Sequence, residues 1–321
     1  MSEDTIPQKS RQNRRQVEII DSPVPSPVVI KVVVSGSNPK DWSETPLRTE
    51  KSSNTGDDIA GIVHAVELNV YEFKPGDRVA AFHEMRTPGG SFAEYAVAWQ
   101  HTTSHVPKNL SFKEAATIPL AALTAVIGNY VHLSLPEPWH PAPSGEKLPF
   151  LVYGAASAVG AYAIKFARLS NIHPIIAVAG KGILYVETLL DKSQGDAVID
   201  YRAGIKAALQ NSGSHANIVA VLAPDALVTN VLPIKRNAPP GFAYPSIYLA
   251  TAWSMVGDVH GPQKEIGFAY FRWIFGKIAQ GEFRSHPHEV MPGDWRGLRD
   301  GKASAVKYIF RIGDTEGAGK D

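Results

Sequence analysis

Leu151-Val152-Tyr153-Gly154-Ala155-Ala156-Ser157-Ala158-Val159-Gly160 is the stretch that decides the fold of this chain. Its apolar, β-forming start stops at Gly154. Small residues run on to Gly160, and an amphipathic helical pattern follows through Ala161-Tyr162-Ala163-Ile164-Lys165-Phe166-Ala167-Arg168-Leu169. A strand, a tight small-residue turn and a helix form the arrangement that receives a dinucleotide pyrophosphate. The turn lets the backbone come close, and the helix N-terminus offers unpaired N–H groups and the positive end of a dipole. Ala156 takes the middle position of the usual GxGxxG, so the segment alone also fits a closely packed strand–helix corner.

Outward from this turn, strands and helices alternate. The pattern reads as a strand to Tyr153, a helix to Ser170, a strand over Ile175–Ala179, a helix around Leu184–Asp191 and a strand over Ala197–Tyr201. That order predicts an α/β unit with a doubly wound parallel sheet. Before it lie a Pro-rich loop (Pro136, Pro138, Pro141, Pro143, Pro149), a helical pattern from Leu120 towards His132, and a helix start at Ser111-Phe112-Lys113-Glu114 with capping-box spacing. The first hundred residues are different. Short β-rich runs at 28–34, 59–66, 78–82 and 91–97 are separated by Gly and Pro, and 305–311 reads as a strand again.

The bulk numbers bound the function. A chain of 321 residues, 44% hydrophobic and 20% charged, can form two cores. A net charge of +1 gives no electrostatic case for nucleic acid or an anionic membrane, and Arg11, Arg14 and Arg15 read as a solvated terminal segment. With no cysteine, disulfides, thiolate zinc sites and a cysteine nucleophile are excluded. No apolar run reaches the ~20 residues of a membrane helix. Met1–Asp4 shows no signal pattern, so a cytoplasmic protein is expected.

Several segments together resemble the medium-chain dehydrogenase/reductase superfamily, in its zinc-independent branch of quinone oxidoreductases and enoyl reductases. They are Ser37-Asn38-Pro39-Lys40-Asp41-Trp42, Gly56-Asp57-Asp58-Ile59-Ala60-Gly61, Pro75-Gly76-Asp77-Arg78-Val79, Gly89-Gly90-Ser91-Phe92-Ala93-Glu94-Tyr95, Leu123-Thr124-Ala125, the Gly154–Gly160 turn and Gly301-Lys302-Ala303-Ser304. The Asn-Pro-Lys-Asp-Trp form and the Pro-rich loop most resemble fungal trans-acting enoyl reductases of polyketide synthesis. The resemblance implies a GroES-like β-rich catalytic domain over 1–117 and 284–321. A Rossmann domain over 118–283 would be inserted between them, with the active site in the cleft.

Residues carry the chemistry as follows. The zinc branch has a Cys at the place of Asn38 and a His at that of Asp57. His83, His101 and His105 lie near in sequence but complete no site and read as surface or loop histidines, so no metal is expected. Reduction of an activated C=C bond remains natural, because the substrate's own carbonyl spreads the charge. No acid follows the second strand, where an NAD site usually has one. Gly180-Lys181 stands there instead, and a cation suits a 2′-phosphate, so NADPH is expected. Tyr201 could reach the same phosphate, as its counterpart does in the family.

The resemblance further implies that Pro39, Lys40, Asp41 and Trp42 lie near the nicotinamide, with Asn38 at the former ligand position. It implies that Gly154, Ala155, Ser157, Ala158, Val159 and Gly160 cradle the phosphates. Ser304 and Ala305 would close over the cofactor. Ala121, Ala122, Leu123, Ala125, Val126 and Gly128 would line the substrate pocket, and Thr124 would hydrogen-bond the carboxamide or the substrate carbonyl. A mid-helix threonine bonding back to a carbonyl is the plainer reading of Thr124. Asp58 is expected to brace the cleft without touching substrate. Tyr130, Lys40 or water could protonate the α-carbon.

Two departures from the family pattern stand out. A fourth Rossmann strand is lacking near 212–216, where Ser212-Gly213-Ser214-His215 runs into a helical pattern, and the stretch 292–299 is short of an expected helix. Loss of an interior strand would destabilise the sheet or be offset by re-pairing of 226–232. Three functions follow: an NADPH-dependent reductase of an enoyl substrate, small or carrier-bound, in which case a polyketide synthase is a partner; a quinone or alkenal reductase of free small molecules; or a catalytically impaired NADPH-binding protein. The chain would act as a monomer or homodimer.

Overall fold

The computed structural model describes residues 5–13, 16–23, 28–41, 54, 56–85, 87–202, 263–291 and 305–314, with Leu227, Thr229 and Val231 as isolated positions. The chain folds as two compact units, Met1–Leu120 with Trp253–Asp321, and Ala121–Ala252.

The first unit opens with an antiparallel pair, β1 (Thr5–Asn13) and β2 (Gln16–Pro23). Arg11 lies in β1 opposite Val17, whereas Arg14 and Arg15 lie outside the described residues. Val17, Ile19 and Ile20 supply the β-forming content that the basic residues masked. β3 (Val28–Gly36) is the axis of the main sheet. Its β-branched run buries Val28, Ile30 and Val32 among Ile59, Val63 and Phe73. β4 (Asp58–Val66) pairs along one edge of β3. β5 (Arg78–Phe82) pairs with β4, and β7 (Thr103–His105) with β5. β6 (Tyr95–Ala98) takes part of the remaining edge of β3. Of the expected 91–97 strand only the last three residues join it, and Ala98 extends it by one. Helix α1 (Phe112–Ala115) starts as expected, with a full capping box: Ser111 Oγ accepts from the Glu114 N–H, and Glu114 Oε2 accepts from the Ser111 N–H.

Helix α2 (Pro119–Val126) runs straight into a π-helical stretch, Ile127–His132. Such stretches are rare and recur at functional sites. In the second unit β8 (Phe150–Tyr153), helix α3 (Ala158–Leu169), β9 (Ile175–Ala179), helix α4 (Ile183–Glu187) and β10 (Ala197–Asp200) follow the predicted alternation. The three strands are parallel, in the order β10-β9-β8. α4 is shorter than expected because Asp191 begins a new element: its Oδ1 accepts from the Ser193 N–H and caps a separate 3-10 turn. The stretches 212–216, 226–232 and 292–299, on which the missing-strand argument rests, lie outside the described residues apart from 227, 229 and 231.

The chain returns through helix α5 (Gln263–Ala279), which belongs to the first unit although it falls inside the span 118–283. It buries Gly267, Tyr270, Phe271, Ile274, Phe275 and Ile278, one face of a 3.6-residue repeat. Arg272 ties it down, donating to Glu72 Oε2 at 2.6 and 2.8 Å and to the Gln100 carbonyl at 3.0 Å. β11 (His288–Val290) lies parallel to β12 (Lys307–Arg311), and β12 closes on the Val34–Gly36 end of β3.

Candidate functional site

A buried group of charges forms where β3 ends and β4 begins. After β3 the chain makes a 3-10 turn, Pro39–Asp41. The turn is closed twice. The Asp41 N–H donates to the Asn38 carbonyl at 2.9 Å, and the Asn38 N–H donates to Asp41 Oδ2 at 2.8 Å. This places the Lys40 ammonium 2.9 Å from Asp41 Oδ1 and 2.6 Å from Asp57 Oδ2, the latter an ion pair without hydrogen-bond geometry. Successive side chains at a strand start point opposite ways. Asp57 therefore meets Lys40, and Asp58 meets Lys307 of β12, whose Nζ donates to Asp58 Oδ2 at 2.6 Å. Asn38 bridges the two sides: its Nδ2 donates to Asp58 Oδ2 at 2.7 Å, and its Oδ1 accepts from Lys307 at 3.3 Å. Asp58 Oδ1 accepts from the Leu120 N–H at 2.7 Å. Sequence reasoning missed Lys307, which read only as a strand residue.

Three carboxylates face two ammonium groups here, so full ionisation would leave one negative charge in excess. Burial, only partly offset by Lys40, raises the carboxyl pKa of Asp41 to about 7 and of Asp57 to about 6. The two titrate as a pair. Burial alone would lower the pKa of Lys40, but Asp41 and Asp57 outweigh it and hold the ammonium protonated above the usual lysine range. A proton held that firmly is not readily given to carbon, which weighs against Lys40 as proton donor. Tyr130 is no better placed. Its hydroxyl lies 2.9 Å from Ser170 Oγ, its ring stands edge-on to Phe166, and burial pushes its pKa well up.

The glycine turn is a second candidate region. Gly154 has φ +79°, a left-handed conformation that favours glycine, and the space where its Cβ would stand is open. The Gly154 and Ala155 N–H groups both donate to the Val178 carbonyl at 3.1 Å, which ties the turn to β9. Ser157 caps α3 by accepting from the Gly160 N–H at 3.1 Å. The Ala158 and Val159 N–H groups, in the first turn, have no partner among the described residues. A Cβ on Gly160 would fall 2.5 Å from the Gly154 carbonyl oxygen, so the helix can approach the turn only without a side chain there. At the end of β9 a Cβ on Gly180 would fall 2.6–2.7 Å from the Tyr201 ring and hydroxyl. The Tyr201 phenol therefore lies over Gly180, and Lys181 beside it is exposed, with no partner among the described residues.

The remaining expected residues distribute as follows. Ala121, Ala122, Leu123, Thr124, Ala125, Val126 and Gly128 are all buried on α2 and the start of the π stretch. Ala305 precedes β12 with φ +63°, unusual for a residue with a side chain. Trp42 and Ser304 lie outside the described residues. Of the three histidines read as surface or loop residues, His83 is buried in the loop after β5, His101 is buried in a 3-10 turn, and His105 is exposed on β7. His83 places its ring nitrogens 2.6 Å from the Val97 carbonyl and 3.1 Å from the Thr87 carbonyl, and burial lowers its pKa. Among the described residues no three His, Cys, Asp or Glu side chains are grouped as a metal ion would need, and no helix is long and apolar enough to cross a membrane.

Residues 24–108 match the alcohol dehydrogenase GroES-like domain family. The trans-enoyl reductase fsr4 of Gibberella fujikuroi is 40% identical over 309 residues, covering 88% of this chain and 89% of the relative. A chloroplast envelope quinone oxidoreductase homolog of Arabidopsis thaliana is 33% identical over 207 residues, 61% of this chain and 60% of the relative. Among solved structures, the CurK enoyl reductase superposes with a TM-score of 0.71 at 19% identity, covering 97% of this chain and 99% of the other, a likeness of fold.

Proposed function

Because the chain belongs to the medium-chain dehydrogenase/reductase superfamily, with the fungal trans-enoyl reductases, we propose that it is a zinc-independent, NADPH-dependent reductase of the activated C=C bond of an α,β-unsaturated carbonyl. The observation that carries this reading is the open Gly154 turn with the Ala158 and Val159 N–H groups at the head of α3, which have no partner among the described residues. Two free amides, a positive dipole end and an absent Cβ fit a pyrophosphate. Gly154, Ala155, Ser157, Ala158, Val159 and Gly160 would enclose it, although the Gly154 and Ala155 amides already serve the turn. Lys181 and Tyr201, over Gly180, would hold the 2′-phosphate. Pro39, Lys40, Asp41 and Trp42 would lie along the nicotinamide, and Ser304 and Ala305 would close over it.

When bound, NADPH supplies the hydride to the electron-poor β-carbon of the substrate. The chain's part is to hold the carbonyl and stabilise the charge that moves onto its oxygen. The Thr124 hydroxyl donates to that oxygen. Lys40 keeps a permanent positive charge near the reacting end, protected from titration by Asp41 and Asp57. Water gives its proton to the α-carbon. Ala121, Ala122, Leu123, Ala125, Val126 and Gly128 form the apolar wall for the substrate chain. Zinc independence is supported by the donor set itself. Asn38 and Asp57 stand where the zinc branch has Cys and His, and both are engaged by buried ammonium groups that a metal ion would have to displace.

The trans-enoyl reductase relative supports an enoyl substrate; a carrier-bound form of it, with a polyketide synthase as partner, belongs to the same reading. The quinone oxidoreductase relative supports a second reading, a quinone or alkenal reductase of free small molecules. Nicotinamide absorbance, followed with an enoyl thioester, an enone and a quinone, separates the two. Turnover of the thioester and enone with NADPH, unchanged by a chelator, is the expected result. Folded protein that takes up no nicotinamide nucleotide in a calorimeter, or turnover that disappears with chelation, would overturn it.

A further inference from the structure

We propose that Arg202 is a further specificity-determining residue, a guanidinium held ready by Asp200 for the 2′-phosphate of the cofactor; this rests on the NADPH reading above. The register of β10 on β9 ends at the pair Asp200 and Ala179. The Tyr201 N–H donates to the Ala179 carbonyl at 3.1 Å and carries the ladder one residue further. Gly180 and Tyr201 therefore leave the sheet side by side, and their contact is tight. Lys181 and Arg202 are the next residues on each strand. This is the carboxyl end of a parallel sheet, where open α/β folds receive their ligands.

The hydrogen bonds of Arg202 are directional. Its Nε lies 2.9 Å from Asp200 Oδ1 and its NH2 2.6 Å from Asp200 Oδ2, so one edge of the guanidinium is engaged side-on. The Arg202 N–H also donates to Asp200 Oδ1, at 2.9 Å. The NH1 group has no partner among the described residues, which leaves the outer edge of the fork free. Both side chains are substantially exposed, at 43% and 25%, and such a pair adds little to stability. Its effect is on orientation and charge. Asp200 is the acid nearest the 2′-phosphate position in sequence, and unpaired it would repel a phosphate. Paired, it is neutralised by the same group that presents a planar fork, and a fork matches two phosphate oxygens where an ammonium offers a point charge.

The test uses the full chain and two probes that differ only in the phosphate at issue, adenosine 2′,5′-bisphosphate and adenosine 5′-phosphate, titrated calorimetrically. The parent chain is expected to prefer the bisphosphate. Arg202→Ala is expected to weaken the bisphosphate by about tenfold while leaving the 5′-phosphate affinity unchanged, and that unchanged affinity also reports an intact fold. Arg202→Lys, which keeps the charge but not the fork, is expected to fall between the two and carries the test if the alanine variant does not fold. If the parent prefers the bisphosphate and both variants keep that preference in full, the role of Arg202 is overturned and the NADPH reading stands. If the parent binds the two probes equally, or binds neither, both are overturned.

Discussion

The two candidate regions handle charge in opposite ways. At the β3–β4 corner of the first unit, five charged side chains, four of them buried and Lys40 partly so, answer one another: Lys40 with Asp41 and Asp57, Lys307 with Asp58. At the carboxyl end of the parallel strands in the second unit, Lys181 stands exposed, Arg202 has one guanidinium edge free, and two amides at the head of α3 have no partner among the described residues. A polar group bound within the chain fixes shape and couples stability to pH. A polar group left without a partner is available to a ligand. The first region therefore reads as scaffold with one reactive edge, and the second as a receptor.

The largest effect that can break this contrast is on Asp58. Its two oxygens accept from Leu120, Asn38 and Lys307. Asp58→Ala leaves a buried ammonium without its partner and should cost about 3–5 kcal/mol in a urea melt, while Asp58→Leu combined with Lys307→Met should recover much of that. A single variant as stable as the parent would show that the cluster is not scaffold. In the receptor, Gly160→Ala puts a methyl group against the Gly154 carbonyl. It should cost about 1–3 kcal/mol and weaken NADPH, because the helix must retreat from the turn; unaltered nucleotide affinity would separate the close approach from binding.

The pH dependence sharpens the contrast from the scaffold side. Asp41 and Asp57 titrate above the usual carboxylate range, at about 7 and about 6. These two groups therefore hold more protons in the folded chain than in the unfolded chain between about pH 4 and pH 7, and their contribution to stability falls as pH rises through that window. A decline from this pair is expected in the parent, and Asp57→Asn should flatten it. A urea midpoint for the parent that holds level across that range breaks the argument. The smallest effect is at Ala305. Glycine there relieves a left-handed φ of +63° and should stabilise by up to about 1 kcal/mol; a lower melting temperature would mean that the alanine methyl makes contacts worth more than the strain.

Much of the second unit was legible because its signals are local. Ser157, Gly154 and the Ile175–Ala179 run each act within a few residues, and the strand–turn–helix came out where it was read. The charged cluster was legible in its members but not in its connections. Lys40 meets an acid 17 positions on, and Lys307 meets one 249 positions back. Nothing in spacing says that β12 closes on β3 and brings them together. The burial of His83 and His101 was not legible, because polarity suggests exposure, whereas backbone carbonyls can satisfy a buried imidazole, as at His83. The helix Gln263–Ala279 is a different case. Its buried positions at 267, 270, 271, 274, 275 and 278 form a period that the residues display openly, and it passed unread.

The shelf at Gly180 has a consequence for how this fold could change its diet. No side chain fits at 180 while the phenol of Tyr201 lies across it. A descendant that placed an acid at that strand end would first have to surrender the aromatic ring. One missing methyl group thus dictates the order in which the two substitutions can be accepted.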